Sequence, residues 1–142
     1  MGNTQSIKKI NYEDMQTVIK NAEAYLIINT LPPSEQQCLI VNTTFAVDEE
    51  NIINKYMKEN KNIRIVIYGK NCNDDTTNKK YQQLLTLGFY NIFLYTGGLF
   101  EWLLLQDIYG KELFPTTKKE VDILKYKPRK TLHAGLIGYY AS

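Results

Sequence analysis

The chain has 142 residues, 44% of them hydrophobic and 23% charged, and a formal net charge of +2. This is enough chain for one domain with its own core, and the composition excludes a disordered, fibrous or disulfide-stapled protein. Two cysteines and one histidine, His133, cannot supply a zinc site, and so small a net charge gives no general argument for nucleic acid.

No apolar run reaches transmembrane length and no charged-then-apolar leader opens the chain, so a reducing, cytoplasmic compartment is expected. Charge is unevenly spread. Residues 1–115 hold 11 Lys and Arg against 13 Asp and Glu, whereas residues 116–142 hold 6 against 2. A near-neutral body therefore carries a basic extension, which suits an anionic surface but is more often simply solvated.

The first residues are MGNTQSIKK. Gly2 with Ser6 matches the N-myristoylation pattern, and Lys8 and Lys9 follow it. Residues 1–6 are accordingly expected to be an acylation segment, functional in a eukaryotic host, with Gly2 the lipidated residue. One myristoyl chain binds membranes only marginally, and the basic extension could supply the second signal. The plainer reading is a frayed terminus whose glycine is incidental.

Ile7 to Ile10 suits a short edge strand, and Asn11 with Asp14 forms a capping box opening a helix to about Asn21. Ala24–Asn29 is a continuous apolar run of the kind buried on both faces of a sheet. Leu31-Pro32-Pro33-Ser34 ends it, and Cys38–Val41 is expected to be another short strand with Cys38 turned inward. Asp48 is placed to cap a helix whose Ile52, Ile53, Tyr56 and Met57 fall on one stripe. Ile63–Tyr68 is the most strand-like segment and is expected at the sheet's centre.

Thr76 or Thr77 can cap the next helix, which runs through Leu87 with Tyr81, Leu84 and Leu85 inward; Gly88 stands where a left-handed residue is wanted. Asn91–Tyr95 is a strand, and Thr96-Gly97-Gly98 turns into the helix LFEWLLLQ. Leu103, Leu104, Leu105 and Ile108 are too many apolar residues for one buried stripe, so the 99–108 segment is expected to meet the chain's own tail, a second copy or a partner, if it is not simply buried. Thr117 with Glu120 suggests another capping box and a turn or two of helix, stopped by Pro128; the closing HAGLIGYYAS could dock on the body or on another subunit. Strands alternating with helices predict an α/β fold with a parallel sheet.

The segment Leu87–Trp102, with Gly88-Phe89, then a strand, then Gly97-Gly98 and Trp102, resembles the rhodanese-like domain family. The correspondence covers about residues 7–115 and leaves 116–142 as a basic C-terminal extension. It implies a three-layer sandwich, a central parallel sheet flanked by helices, with no cofactor and no metal. It further implies sulfur transfer: a thiolate in the loop after a strand attacks a sulfane sulfur, holds it as a persulfide and passes it to a nucleophilic acceptor. Loop N–H groups and a helix N-terminus would stabilise the thiolate and a small sulfur-containing anion.

In this chain Gly69 holds the place after the strand where the family has its cysteine, and Cys72 lies three positions later. Asn29 likewise stands where the family usually ends a strand in aspartate. The candidate site is therefore Cys72 as sulfur carrier, with Gly69, Lys70, Asn71, Asn73, Asp74 and Asp75 as the anion-binding loop. Lys70 could help an anion, while Asp74 and Asp75 would repel it or compete for its donors at the next helix.

Two functional readings stay open. One is an active thiosulfate or persulfide sulfurtransferase using Cys72. The other is a non-canonical or inactive homologue, membrane-anchored, with a binding or scaffolding role. Rhodanese-fold phosphatases use Cys-x5-Arg, and Asn78 stands where that arginine would be, which argues against phosphatase chemistry. Gly69-Lys70 lacks the remaining residues of a P-loop, and Gly97-Gly98 lacks the third glycine of a dinucleotide fingerprint.

Overall fold

The computed structural model describes residues 7–132. Gly2, the 1–6 segment, His133 and the stretch HAGLIGYYAS lie outside the described residues. Five strands form one parallel sheet: β1 (Lys8–Ile10), β2 (Tyr25–Asn29), β3 (Thr43–Thr44), β4 (Arg64–Tyr68) and β5 (Ile92–Tyr95). Their order is β1-β5-β4-β2-β3, so β4 is central and β1 is at an edge. The register sets Ile27 beside Val66 and Val66 beside Phe93. Parallel neighbours need crossovers, and helices α1 (Tyr12–Lys20), α2 (Ala46–Glu59) and α3 (Thr76–Thr86) supply three of them, a short 3-10 turn at Pro33–Glu35 lies in the fourth, and α4 (Gly98–Tyr109) follows the last strand.

Alternation along the strands divides the core in two. Leu26, Ile28, Ile65, Ile67, Ile92 and Leu94 pack with Ile53 of α2 and with Tyr81 and Leu84 of α3. Ile27, Val66, Tyr68 and Tyr95 pack on the other side with Met15 and Val18 of α1 and with Leu99, Trp102 and Leu103 of α4. The result is the expected α/β three-layer sandwich. At its carboxyl end, β4 delivers the candidate loop.

Local signals explain much of this. The capping box at α1 forms in both directions, Asp14 N donating to Asn11 Oδ1 and Asn11 N to Asp14 Oδ2. Gly88 follows α3 at φ 103°, and Phe89 N reaches back to Leu84 O, which closes the helix in a Schellman turn.

Four local expectations are corrected. Cys38–Val41 is buried at its first three residues but is not a sheet strand. Ile40 makes an isolated antiparallel bridge with Thr116, and Thr43–Thr44 takes the place beside β2. Phe45, not Asp48, is the N-cap of α2; Asp48 lies in the first turn, where its charge still favours the helix dipole. Asp75 occupies the N-cap position of α3, so Thr76 and Thr77 are its first helical residues. Thr117 caps nothing: it donates to Gln37 O and accepts from Leu39 N, and the short 3-10 turn Ile123–Tyr126 follows Asp122.

Residues 114–126 cross the α1/α4 side of the molecule. Phe114 and Tyr126 are among its buried side chains, and Trp102 packs edge-on to Phe114 while donating its Nε1–H to Pro115 O at 3.1 Å. Ile123 packs against the same cluster. The apolar excess of α4 is thus covered in part by the chain itself, while Leu104 and Ile108 stay exposed. No helix among the described residues is long and apolar enough to cross a membrane.

Candidate functional site: an internally occupied loop

The loop 69–75 joins the buried end of β4 to the first turn of α3. Its backbone is fixed from the side by α4. Gly69 O accepts from Leu99 N at 2.9 Å, and Lys70 O accepts from Phe100 N at 2.8 Å. This close approach requires glycine at 98, which has φ 69°: a Cβ there would meet Asn71 N and Gly69 O at 2.8 Å.

With its carbonyls so engaged, the loop turns N–H groups inward, and one carboxylate takes them. Asp74 Oδ2 accepts from Lys70 N at 2.9 Å. Asp74 Oδ1 accepts from Thr76 N at 3.0 Å and from the Thr76 hydroxyl, which also lies 2.7 Å from the hydroxyl of Thr30. Asp74 is partly buried, whereas Asp75 is exposed and makes no side-chain capping bond. Of the two acids, one fills the loop and the other faces water.

Gly69 is the counterpart of this seating. A Cβ added there would fall well inside contact with Asp74 Oδ2 and 2.8 Å from Thr30 Oγ1. The Asp74 carboxylate therefore occupies the space that any side chain at position 69 would enter.

Cys72 lies outside this arrangement. It is exposed, and its described side-chain contact is with Asn73 Oδ1 at 3.8 Å. Asn73 N donates to Asn71 Oδ1, and Asn71 Nδ2 donates to Tyr126 O at 2.8 Å, which ties the loop to the C-terminal segment. The Lys70 ammonium is paired with Glu35 Oε2 at 3.2 Å, and both groups are about one-third exposed or less. The loop thus gathers Gly69, Lys70, Asn71 and Asp74, and leaves Cys72, Asn73 and Asp75 at the surface.

Thr30, Glu35 and Tyr126 were not expected from the sequence to belong to this neighbourhood. Thr30 follows β2 next to Asn29, whose amide is fully used by Gln36, Thr44 O and Leu31 N. Cys38, the second thiol, is buried and donates to Lys118 O; burial holds its thiol above the ordinary value. An open groove of about 870 Å³ lies elsewhere, between Leu103–Lys111 and residues 115–123. Among the described residues no cluster of His, Cys, Asp and Glu could hold a metal ion.

A family model for the rhodanese-like domain matches residues 18–105. Among solved structures, the chain is similar to the crystal structure of the Alr3790 protein from Anabaena sp. at 19% identity and a TM-score of 0.57, over 82% of this chain and 84% of that one. It is similar to the Saccharomyces cerevisiae single-domain sulfurtransferase RDL2 at 14% identity and a TM-score of 0.55, over 76% of this chain and 98% of that one. A third likeness is to Ygr203w, a yeast protein tyrosine phosphatase of the Rhodanese family, at 12% identity and a TM-score of 0.57, over 85% and 99% of the two chains. No curated protein matches closely enough to count as a relative. At these identities the solved structures speak for the fold. The family match spans more than half of the chain, and the chain belongs to the rhodanese-like domain family.

Proposed function

We propose that this chain is a rhodanese-fold binding or scaffolding module, held at a membrane through an acyl chain on Gly2, whose loop is locked instead of catalytic. The observation that carries the reading is the Asp74 carboxylate seated on Lys70 N and Thr76 N. A thiolate or a bound oxyanion would need those donors, and a fixed negative charge already holds them. Cys72 is exposed, and its described side-chain contact is with Asn73 Oδ1 and not with those donors. Asn78 in the place of a phosphate-gripping arginine argues equally against phosphatase chemistry.

Exposure of Cys72 on a loop of this family favours the second reading, a sulfur carrier working without the donors that Asp74 holds. The two separate in one experiment. Purified protein is incubated with thiosulfate and weighed intact, with Cys72→Ser as control. The locked-loop reading expects no change in mass. A cyanide-labile gain of one sulfur atom, absent from the serine variant, would establish the carrier. The anchor has its own test: Gly2→Ala should move the protein from the membrane to the soluble fraction of a eukaryotic host, and unchanged fractionation would refute acylation.

A further inference from the structure

We propose that residues 118–132 form an ordered lipid-contacting ribbon that binds an anionic membrane surface, the second attachment that a single acyl chain requires. The inference rests on the membrane reading above and adds the surface that would make contact.

Two features coincide on this stretch. Lys118, Lys119, Lys125, Lys127, Arg129 and Lys130 are all exposed, against two acids, Glu120 and Asp122. Glu120 and Lys125 pair with each other at 2.6 Å, which leaves five cations against Asp122. Among these cations Val121 is 82% exposed, Leu124 61% and Leu132 61%. A solvated basic tail has no need of large aliphatic side chains in water, and an acidic peptide groove would not favour them. Cations for lipid headgroups together with aliphatic groups for the acyl boundary are what interfacial binding uses.

The ribbon is held in place by its own contacts. Thr117 N donates to Leu39 O, Cys38 donates to Lys118 O, and Tyr126 is buried in the main core. Because those anchors are used inward, Val121 and Leu124 cannot bury themselves by refolding locally. The Asn71–Tyr126 bond ties loop 69–75 to the same segment.

The test uses full-length protein made in bacteria, where Gly2 is not acylated, with vesicles of phosphatidylcholine alone or with phosphatidylserine. Sedimentation should show binding to the anionic vesicles only, weakening as salt rises. Lys127→Glu, Arg129→Glu and Lys130→Glu together should weaken it by about a hundredfold or more, at about fivefold for each cation lost from the surface. Val121→Asp with Leu124→Asp should weaken it too without altering the melting curve, since both side chains are exposed. Equal binding to neutral vesicles, no binding to either, or binding that ignores both sets of variants would overturn the proposal. Charge reversals that empty the membrane fraction of cells while purified protein ignores vesicles would also overturn it, pointing to an acidic protein instead. These outcomes are independent of Gly2→Ala, which tests the acyl anchor alone.

Discussion

Replacing Gly69 by alanine tests the seating of Asp74 through its neighbour. The Gly69 backbone does not lie in the left-handed region, so alanine strains nothing by its φ angle. Its methyl group, however, would enter the space of Asp74 Oδ2 and press on Thr30 Oγ1. Overpacking of this kind costs about 1–3 kcal/mol. Asp74→Ala alone removes the acceptor of two backbone N–H groups and one hydroxyl. Charge-assisted bonds carry about 1.5–3 kcal/mol each when dry, but Asp74 is only partly buried and water can replace it, so we expect a total of about 2–3 kcal/mol. In the double variant the methyl group has somewhere to go. Its cost should fall well below the sum, with a coupling of about 1–2 kcal/mol. Urea titrations of the four proteins measure this, provided the slopes agree. Strict additivity, or an unaffected Asp74→Ala midpoint, would show that the carboxylate is not seated against Gly69.

Two further outcomes follow from the packing. Tyr126→Ala empties a core position and should cost about 3–5 kcal/mol, lowering the melting temperature by about 10 °C or more; a small shift would mean that residues beyond 115 are a loose appendage. Burial holds the Cys38 thiol above its ordinary 9.0, and it holds the Tyr68 and Tyr95 hydroxyls above their ordinary 10.0, with the Glu101 carboxylate adding to the effect at Tyr95. The folded protein keeps these protons to higher pH than the unfolded chain does. Stability from them is complete below about pH 9 and should decline as pH rises past the unfolded values, which denaturant titrations from about pH 8 to about pH 11 would detect. A flat profile would contradict their burial.

The alternation of apolar runs with amphipathic segments was enough to read the parallel sheet and its central strand, because a strand buried on both faces shows as a continuous apolar run, while the flanking layers came with the resemblance to the family. The carboxyl end of the sheet was harder. Cys38–Val41 is as apolar as a strand should be and its first three residues pack in the main core, yet its backbone pairs with Pro115–Thr117 and not with the sheet. Periodicity reports that a residue is covered, and it cannot report by what. The same limit hid Tyr126, a single large residue in a short turn amid lysines, where no pattern of several residues marks an inward face.

At the loop, the sequence raised the competition between acidic residues and an anion for the helix donors. It did not tell Asp74 from Asp75. Neighbouring residues differ there by one turn of backbone, set by α4 gripping Gly69 and Lys70 through contacts remote in sequence. Gly69 itself was legible as an anomaly in the resemblance to the family, but its physical reason, space for a carboxylate five positions ahead, needed coordinates.

Whether the loop has room for an anion can be asked of the two amides themselves. Thiosulfate is added to nitrogen-15-labelled protein, and the signals of Lys70 and Thr76 are followed by two-dimensional NMR. With Asp74 in place both signals should stay where they are as the salt rises, apart from the small drift shared by all surface amides. A saturable movement of these two, with a midpoint of its own, would mean that the loop receives an external anion and that the occupied-loop account is wrong.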